Sequence, residues 1–168
     1  MACQYLQRHC FTSNRDRQRL WPLFNNGGSG LVVLSYGLIT LNNLDAENNG
    51  QNNFLGSTTD PQTGWGVYLD NCYFDWGLGT PACTSTGAPK GITLNGTNIF
   101  NGNYQDGLWA TSLGPISVRQ IDAEGNGGDG AYLDNQWAGA VGGITMPVST
   151  ATSWNCLLYT SPSPRDCS

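Results

Sequence analysis

The chain has 168 residues, with 12 acids against 7 bases, and only 11% of its positions are charged. That excludes a long solvated helix or a coiled coil, whose surface needs a dense mix of Glu, Lys and Arg, and it falls well under the ~25% of an average soluble domain. Glycine fills 23 positions and asparagine 17, so 40 of 168 residues favour turns over helix, while 39% hydrophobic content with 18 aromatic rings excludes disorder.

No apolar run approaches the ~20 residues that cross a bilayer, and an all-β chain without a membrane span is predicted. Residues 1–24 stand apart from the rest. They hold His9, the single histidine, four of the six arginines (Arg8, Arg15, Arg17 and Arg19), two of the six cysteines and no glycine. They lack the ~7–15-residue apolar stretch of a secretory leader, and they read as an out-of-frame start. Residues 25–155 are different in kind, with Lys90 and Arg119 against ten acids, a net charge of −8. Such a region repels nucleic acid and anionic membrane, whose recognition needs clustered Lys and Arg.

From Gly30 the chain repeats itself. The segment Gly30–Gly50 aligns without gaps on Gly107–Gly127, at an offset of 77. A first predicted strand recurs at Gly66–Asn71 and Gly130–Asn135, both reading Tyr-Leu-Asp-Asn at their ends. A second recurs at Ile39–Leu41, Ile92–Leu94, Ile116–Val118 and Ile144–Met146, where apolar residues flank Thr or Ser with a period of two. From Gly107 to Gly130 the period is 23. Three short strands per turn of chain, stacked in register, return the same strand at that interval. The predicted fold is a right-handed parallel β-helix of four to five rungs, incomplete at both ends, over residues 25–155.

Asparagine fits the corners of such a coil, because it tolerates positive φ better than most residues and can bond amide to amide along the axis. Asn42, Asn43, Asn48, Asn49, Asn71, Asn95, Asn98, Asn126 and Asn135 are assigned that structural role. Against a 23-residue unit the first two rungs carry inserts, near Gln51–Gly64 and Cys72–Lys90. Solenoid inserts collect as loops on one face. Cys72 and Cys83 lie within the second insert and are expected to pair, closing a 12-residue loop. An unstrained bridge of that size stabilises by roughly 3 kcal/mol and points to an oxidising, extracellular compartment.

The chain closes on residues 156–168. Cys156–Asp166 resembles the in-frame translation of a common sequencing adapter, and this tail is set aside from the fold.

The Gly-Ile-Thr-Leu strand at Gly91–Leu94, its Asn/Gly corner, and the run Asn126–Asn135 carry a family likeness. They resemble the long right-handed β-helix surface proteins of environmental bacteria, over residues 24–147. The resemblance implies a secreted or cell-surface repeat protein with a structural, adhesin-like role. Its implied partners are surface glycans or other cell-surface proteins, with no nucleic acid.

Many β-helix proteins are pectin-type lyases or hydrolases, so the alternative is part of a carbohydrate-active enzyme whose catalytic rungs lie elsewhere. Glycosidases need two carboxylates at a set separation, and Asp45 with Glu47 and Asp122 with Glu124 are the candidates. Both pairs belong to the same repeated corner, placed three rungs apart, and a feature that recurs with the repeat reads as a solvated edge. No catalytic residue and no cofactor is therefore assigned. The run Gly125–Gly130 lacks the spacing of a Ca²⁺-binding roll, so Ca²⁺ at this acidic edge has no motif behind it. Aromatic side chains on a polar β surface can stack on sugar rings, and Trp76, Tyr73 and Trp65, in or beside the inserts, are the candidate carbohydrate contacts. The competing role, self-stacking along a sheet, is assigned to Tyr68, Trp109 and Tyr132.

Overall fold

The computed structural model describes residues 21–35, 37–50, 64–71, 74–75, 80–81, 89–136, 139–146 and 157–160. Among them all regular structure is strand. The strands in chain order are β1 (Trp21–Pro22), β2 (Leu31–Leu34), β3 (Ile39–Asn42), β4 (Leu44–Asp45), β5 (Val67–Asp70), β6 (Phe74–Asp75), β7 (Thr80–Pro81), β8 (Ile92–Asn95), β9 (Asn98–Ile99), β10 (Leu108–Thr111), β11 (Ile116–Val118), β12 (Ile121–Asp122), β13 (Ala131–Asp134), β14 (Ile144–Thr145) and β15 (Leu157–Thr160).

Three parallel sheets hold all but two of these strands. Sheet I has the order β2-β5-β10-β13-β15, sheet II β3-β8-β11-β14, and sheet III β1-β4-β9-β12. The chain enters sheets I, II and III in turn, three times over, before β13 and β14 begin a further circuit. Successive strands are too short to fold back on themselves, so each finds its hydrogen-bond partner one circuit away. The exception is the antiparallel pair β6–β7, inside the second insert. This all-β, three-sheet parallel arrangement agrees with the architecture expected from the repeat.

Register explains the interior. In sheet II, Ile39, Ile92, Ile116 and Ile144 share one column, and Leu41, Leu94 and Val118 the next inward one. In sheet I, Val67, Leu108 and Ala131 lie over one another, as do Leu69, Ala110 and Leu133, all fully buried. The residues between them point outward, which is the period-two reading of the sequence made physical. Sheet III contributes Leu44, Ile121, Ala46, Phe100 and Ala123 to the same continuous core.

The corner after sheet III turns on a left-handed residue in each circuit: Asn25 (φ 54°), Asn48 (φ 56°), Gly102 (φ 64°) and Gly125 (φ 64°). Only Gly, or Asn at modest cost, takes that conformation easily, which is why the corners are rich in these two residues.

Three features depart from the expected layout or extend it. The Asp-Ala-Glu corners at Asp45 and Asp122 are two circuits apart, not three, with β9 the one strand between them. Asn98, fully buried at the start of β9, bonds to both neighbouring circuits, its Oδ1 accepting the Leu44 N–H at 3.4 Å and its Nδ2 donating to the Arg119 carbonyl at 2.7 Å. Parallel pairing also reaches back to Trp21, which lies opposite Leu44, and forward to Leu158, opposite Tyr132. These strands fall within 1–24 and 156–168.

Candidate functional site

Two outward surfaces carry chemistry. On sheet I the register places Tyr68, Trp109 and Tyr132 in one column. Their rings stack along the axis, with centroids 6.2 Å apart at 18° for Tyr68–Trp109 and 4.2 Å at 25° for Trp109–Tyr132. Offset stacks of this kind contribute ~0.5–1.5 kcal/mol each beyond area burial.

Trp65 closes the column from the side. Its ring sits 5.1 Å from Tyr68 and edge-on to Trp109 at 6.0 Å, leaving it 9% exposed. Two further bonds fix it in place: its main-chain N–H donates to Ser29 Oγ at 3.1 Å, and its indole Nε1–H to Asp106 Oδ2 at 3.2 Å.

Asp106 in turn accepts the Asp129 main-chain N–H at 2.6 Å. Burial pushes its carboxyl above the usual carboxylate range, and the Asp129 charge adds to the rise, while the bonds from Asp129 and Trp65 pull the other way. Burial and then the Asp70 charge raise the Tyr68 phenol as well. The facing sides of these rings are therefore occupied by one another, and Trp65 and Asp106 are bonded within the protein. The surface is a braced aromatic ridge. Of the three candidate sugar contacts, Trp65 belongs to this ridge. Trp76 and Tyr73 lie outside the described residues, as do Cys72 and Cys83.

The second surface is the outward face of sheet III. Asp45, Ile99 and Asp122 form one column. Beside it, Asn101 joins the two glutamate-bearing corners, its Nδ2 donating to Glu47 Oε1 at 3.4 Å while its Oδ1 accepts the Glu124 main-chain N–H at 2.7 Å. Ile99 separates the two aspartates, so they do not share a proton. Among the described residues, no group of three or more His, Cys, Asp and Glu could hold a metal ion, and no helix is long and apolar enough to cross a membrane.

One carboxylate oxygen on each, Asp45 Oδ1 and Asp122 Oδ1, is buried with no hydrogen-bond partner among the described residues. Burial, followed by the Glu47 charge, holds the Asp45 carboxyl above its ordinary 3.8. A carboxyl whose pKa is raised by folding penalises the fold when ionised, and that penalty is relieved as pH falls from the raised value toward 3.8. Asp45→Asn should therefore not lower the melting temperature at neutral pH, and it should shrink any gain in stability on mild acidification. Paired thermal melts at neutral and mildly acidic pH test this; a variant that melts lower at neutral pH would contradict it.

The amide ladder expected along the axis is present, and two of its four members, Asn26 and Asn103, were missed by sequence reasoning. Asn26, Asn49, Asn103 and Asn126 form a continuous amide ladder. Asn26 Nδ2 donates to Asn49 Oδ1 at 2.8 Å, Asn49 Nδ2 to Asn103 Oδ1 at 2.9 Å, and Asn103 Nδ2 to Asn126 Oδ1 at 3.0 Å. The main-chain N–H of each donor residue bonds to the same oxygen. Asn26 and Asn103 were not assigned to corners, although Asn103 stands 23 residues before Asn126 and 54 after Asn49. That spacing was the available signal. No family model, curated protein or solved structure matches the chain.

Proposed function

We propose that this chain is a stretch of right-handed parallel β-helix from a secreted or cell-surface repeat protein, with a structural and adhesive role and no catalytic centre of its own. The observation that carries the reading is the direction in which its buried polar groups bond. Asn49, Asn103 and Asn126 join one circuit to the next along the stack, and the aromatic column does the same on the outside. A coil bonded this way lengthens by adding circuits, each supported by its neighbours. Recognition then falls to the inserted loops, with Trp76 and Tyr73 as the rings offered to surface glycans or to other cell-surface proteins. A bridge between Cys72 and Cys83 would hold that loop in an oxidising, extracellular setting.

The test is a glycan array read beside an assay for polysaccharide breakdown. The purified chain should be retained on at least one surface glycan and leave polymer length unchanged, and Trp76→Ala should abolish retention. Shortened or unsaturated products would instead favour a carbohydrate-active β-helix enzyme. Failure to be retained on any glycan or cell surface would remove the adhesive half of the proposal.

A further inference from the structure

Five Asn–Gly pairs occur in the chain: Asn26–Gly27, Asn49–Gly50, Asn95–Gly96, Asn101–Gly102 and Asn126–Gly127. Each holds the same latent reaction. The glycine main-chain nitrogen attacks the asparagine Cγ and gives up its proton. The bond from Cγ to the side-chain nitrogen breaks, and ammonia leaves. The resulting succinimide takes up one water and opens to aspartate or, by the other carbonyl, to isoaspartate. Nothing is oxidised or reduced, and water is the one co-reactant. Glycine favours the step because it has no Cβ to block the ring closure.

The coil sorts these five pairs into two groups. In three of them the attacking N–H is tied to the neighbouring circuit. Gly50 donates to the Asn26 carbonyl at 2.8 Å, Gly102 to the Glu124 carbonyl at 2.8 Å, and Gly127 to the Asn103 carbonyl at 2.9 Å. The amides under attack are held as well. Asn49 and Asn126 lie in the buried ladder, and Asn126 Nδ2 also donates to the Phe100 carbonyl at 2.8 Å. Asn101 is fixed between Glu47 and Glu124.

The other two pairs differ. Among the described residues, the Gly27 and Gly96 N–H groups have no acceptor, and the Asn95 side chain has no partner. Gly27 is exposed, and a Cβ built on it would meet nothing within 4 Å. Asn26 is exposed too, and its amide is bonded on one side only, to Asn49.

We propose that Asn26 and Asn95 are sites of spontaneous conversion to aspartyl and isoaspartyl residues, and that the cross-circuit bonds keep Asn49, Asn101 and Asn126 inert. Conversion at Asn26 replaces the donor that faces Asn49 Oδ1 with a carboxylate oxygen and so unties that end of the ladder. At Asn95 the isoaspartyl form adds a methylene to the main chain at the end of β8, where the Asn43 N–H bonds to the Asn95 carbonyl at 3.0 Å.

The test ages the whole chain in mildly alkaline buffer, native and in urea, and reads each pair by peptide mass spectrometry. In the native chain Asn26 and Asn95 should convert at least about tenfold faster than the other three, because freeing a bonded glycine N–H requires a local opening that costs ~1.4 kcal/mol or more. In urea the five rates should converge, which separates protection by the fold from differences in local sequence. Gly27→Ala should slow Asn26 alone. Native conversion of Asn49, Asn101 or Asn126 as fast as that of Asn26 would overturn the proposal. So would Asn26 and Asn95 converting as slowly as the other three.

Discussion

Asn103→Ala should lower the unfolding free energy by about 4 kcal/mol, read from urea denaturation followed by tryptophan fluorescence. Asn103 is 1% exposed, and its side chain makes four bonds. Its Oδ1 accepts both the main-chain and the side-chain N–H of Asn49, and its Nδ2 donates to the Ala46 carbonyl and to Asn126 Oδ1. Alanine leaves the two Asn49 donors and the Ala46 acceptor unpaired in a buried setting. Each orphaned group costs ~1–3 kcal/mol, and the sum is less than additive because a water can enter a polar void.

Two companions sharpen the reading. Asn26→Ala removes one side-chain bond at the exposed end of the same ladder, where solvent replaces it, and should cost under about 1 kcal/mol. Asn103→Asp keeps the acceptor toward Asn49 but turns a carboxylate oxygen on Asn126 Oδ1 and the Ala46 carbonyl. It should be destabilising at neutral pH and partly rescued in acid, where the protonated carboxyl regains one donor. A cost for Asn103→Ala no larger than that for Asn26→Ala would mean that the ladder is decoration rather than support.

The same residues show what could be read from the chain alone. Strands β3, β8, β11 and β14 were legible because Ile-Thr-Leu and its variants recur with apolar residues on one side, and burial on one face enforces that pattern. The column of Tyr68, Trp109 and Tyr132 was legible for a related reason: equal offsets place equivalent residues over one another in a parallel stack. The β9 circuit was not. It substitutes Asn98 and Phe100 where its neighbours have Leu44 or Ile121 and Ala46 or Ala123, so it breaks the pattern by which the others are recognised. The two inserts, not an extra circuit, account for the 77-residue offset between the two Asp-Ala-Glu corners. Trp65 was noticed as a ring near an insert, but nothing local announces that Ser29 and Asp106, distant in sequence, hold it against the sheet. Inserts are legible only in position, since the repeat says where the extra residues enter and carries no information about their shape.

Phe100→Ala should cost about 3–5 kcal/mol, by the transfer of a buried ring plus the cavity it leaves. Phe100 is fully buried, and at the same spacing in the adjacent circuits stand Ala46 and Ala123, also fully buried. One large residue between two small ones fills a space that three medium residues fill elsewhere in the coil. Truncating the large one leaves three alanines in succession, with no neighbour able to reach across. The void is apolar and stays dry, unlike the one left by Asn103→Ala, so no water offsets the loss. Phe100→Leu, which retains most of the volume, should cost under about 2 kcal/mol. Moving the ring by one circuit gives the sharper experiment. Phe100→Ala combined with Ala123→Phe conserves total volume and should recover part of the loss, with the urea dependence of unfolding unchanged from the parent chain. If the double variant is no better than the single one, the space around Phe100 is shaped for that circuit alone. The coil is then a sequence of individually fitted layers, not an interchangeable stack.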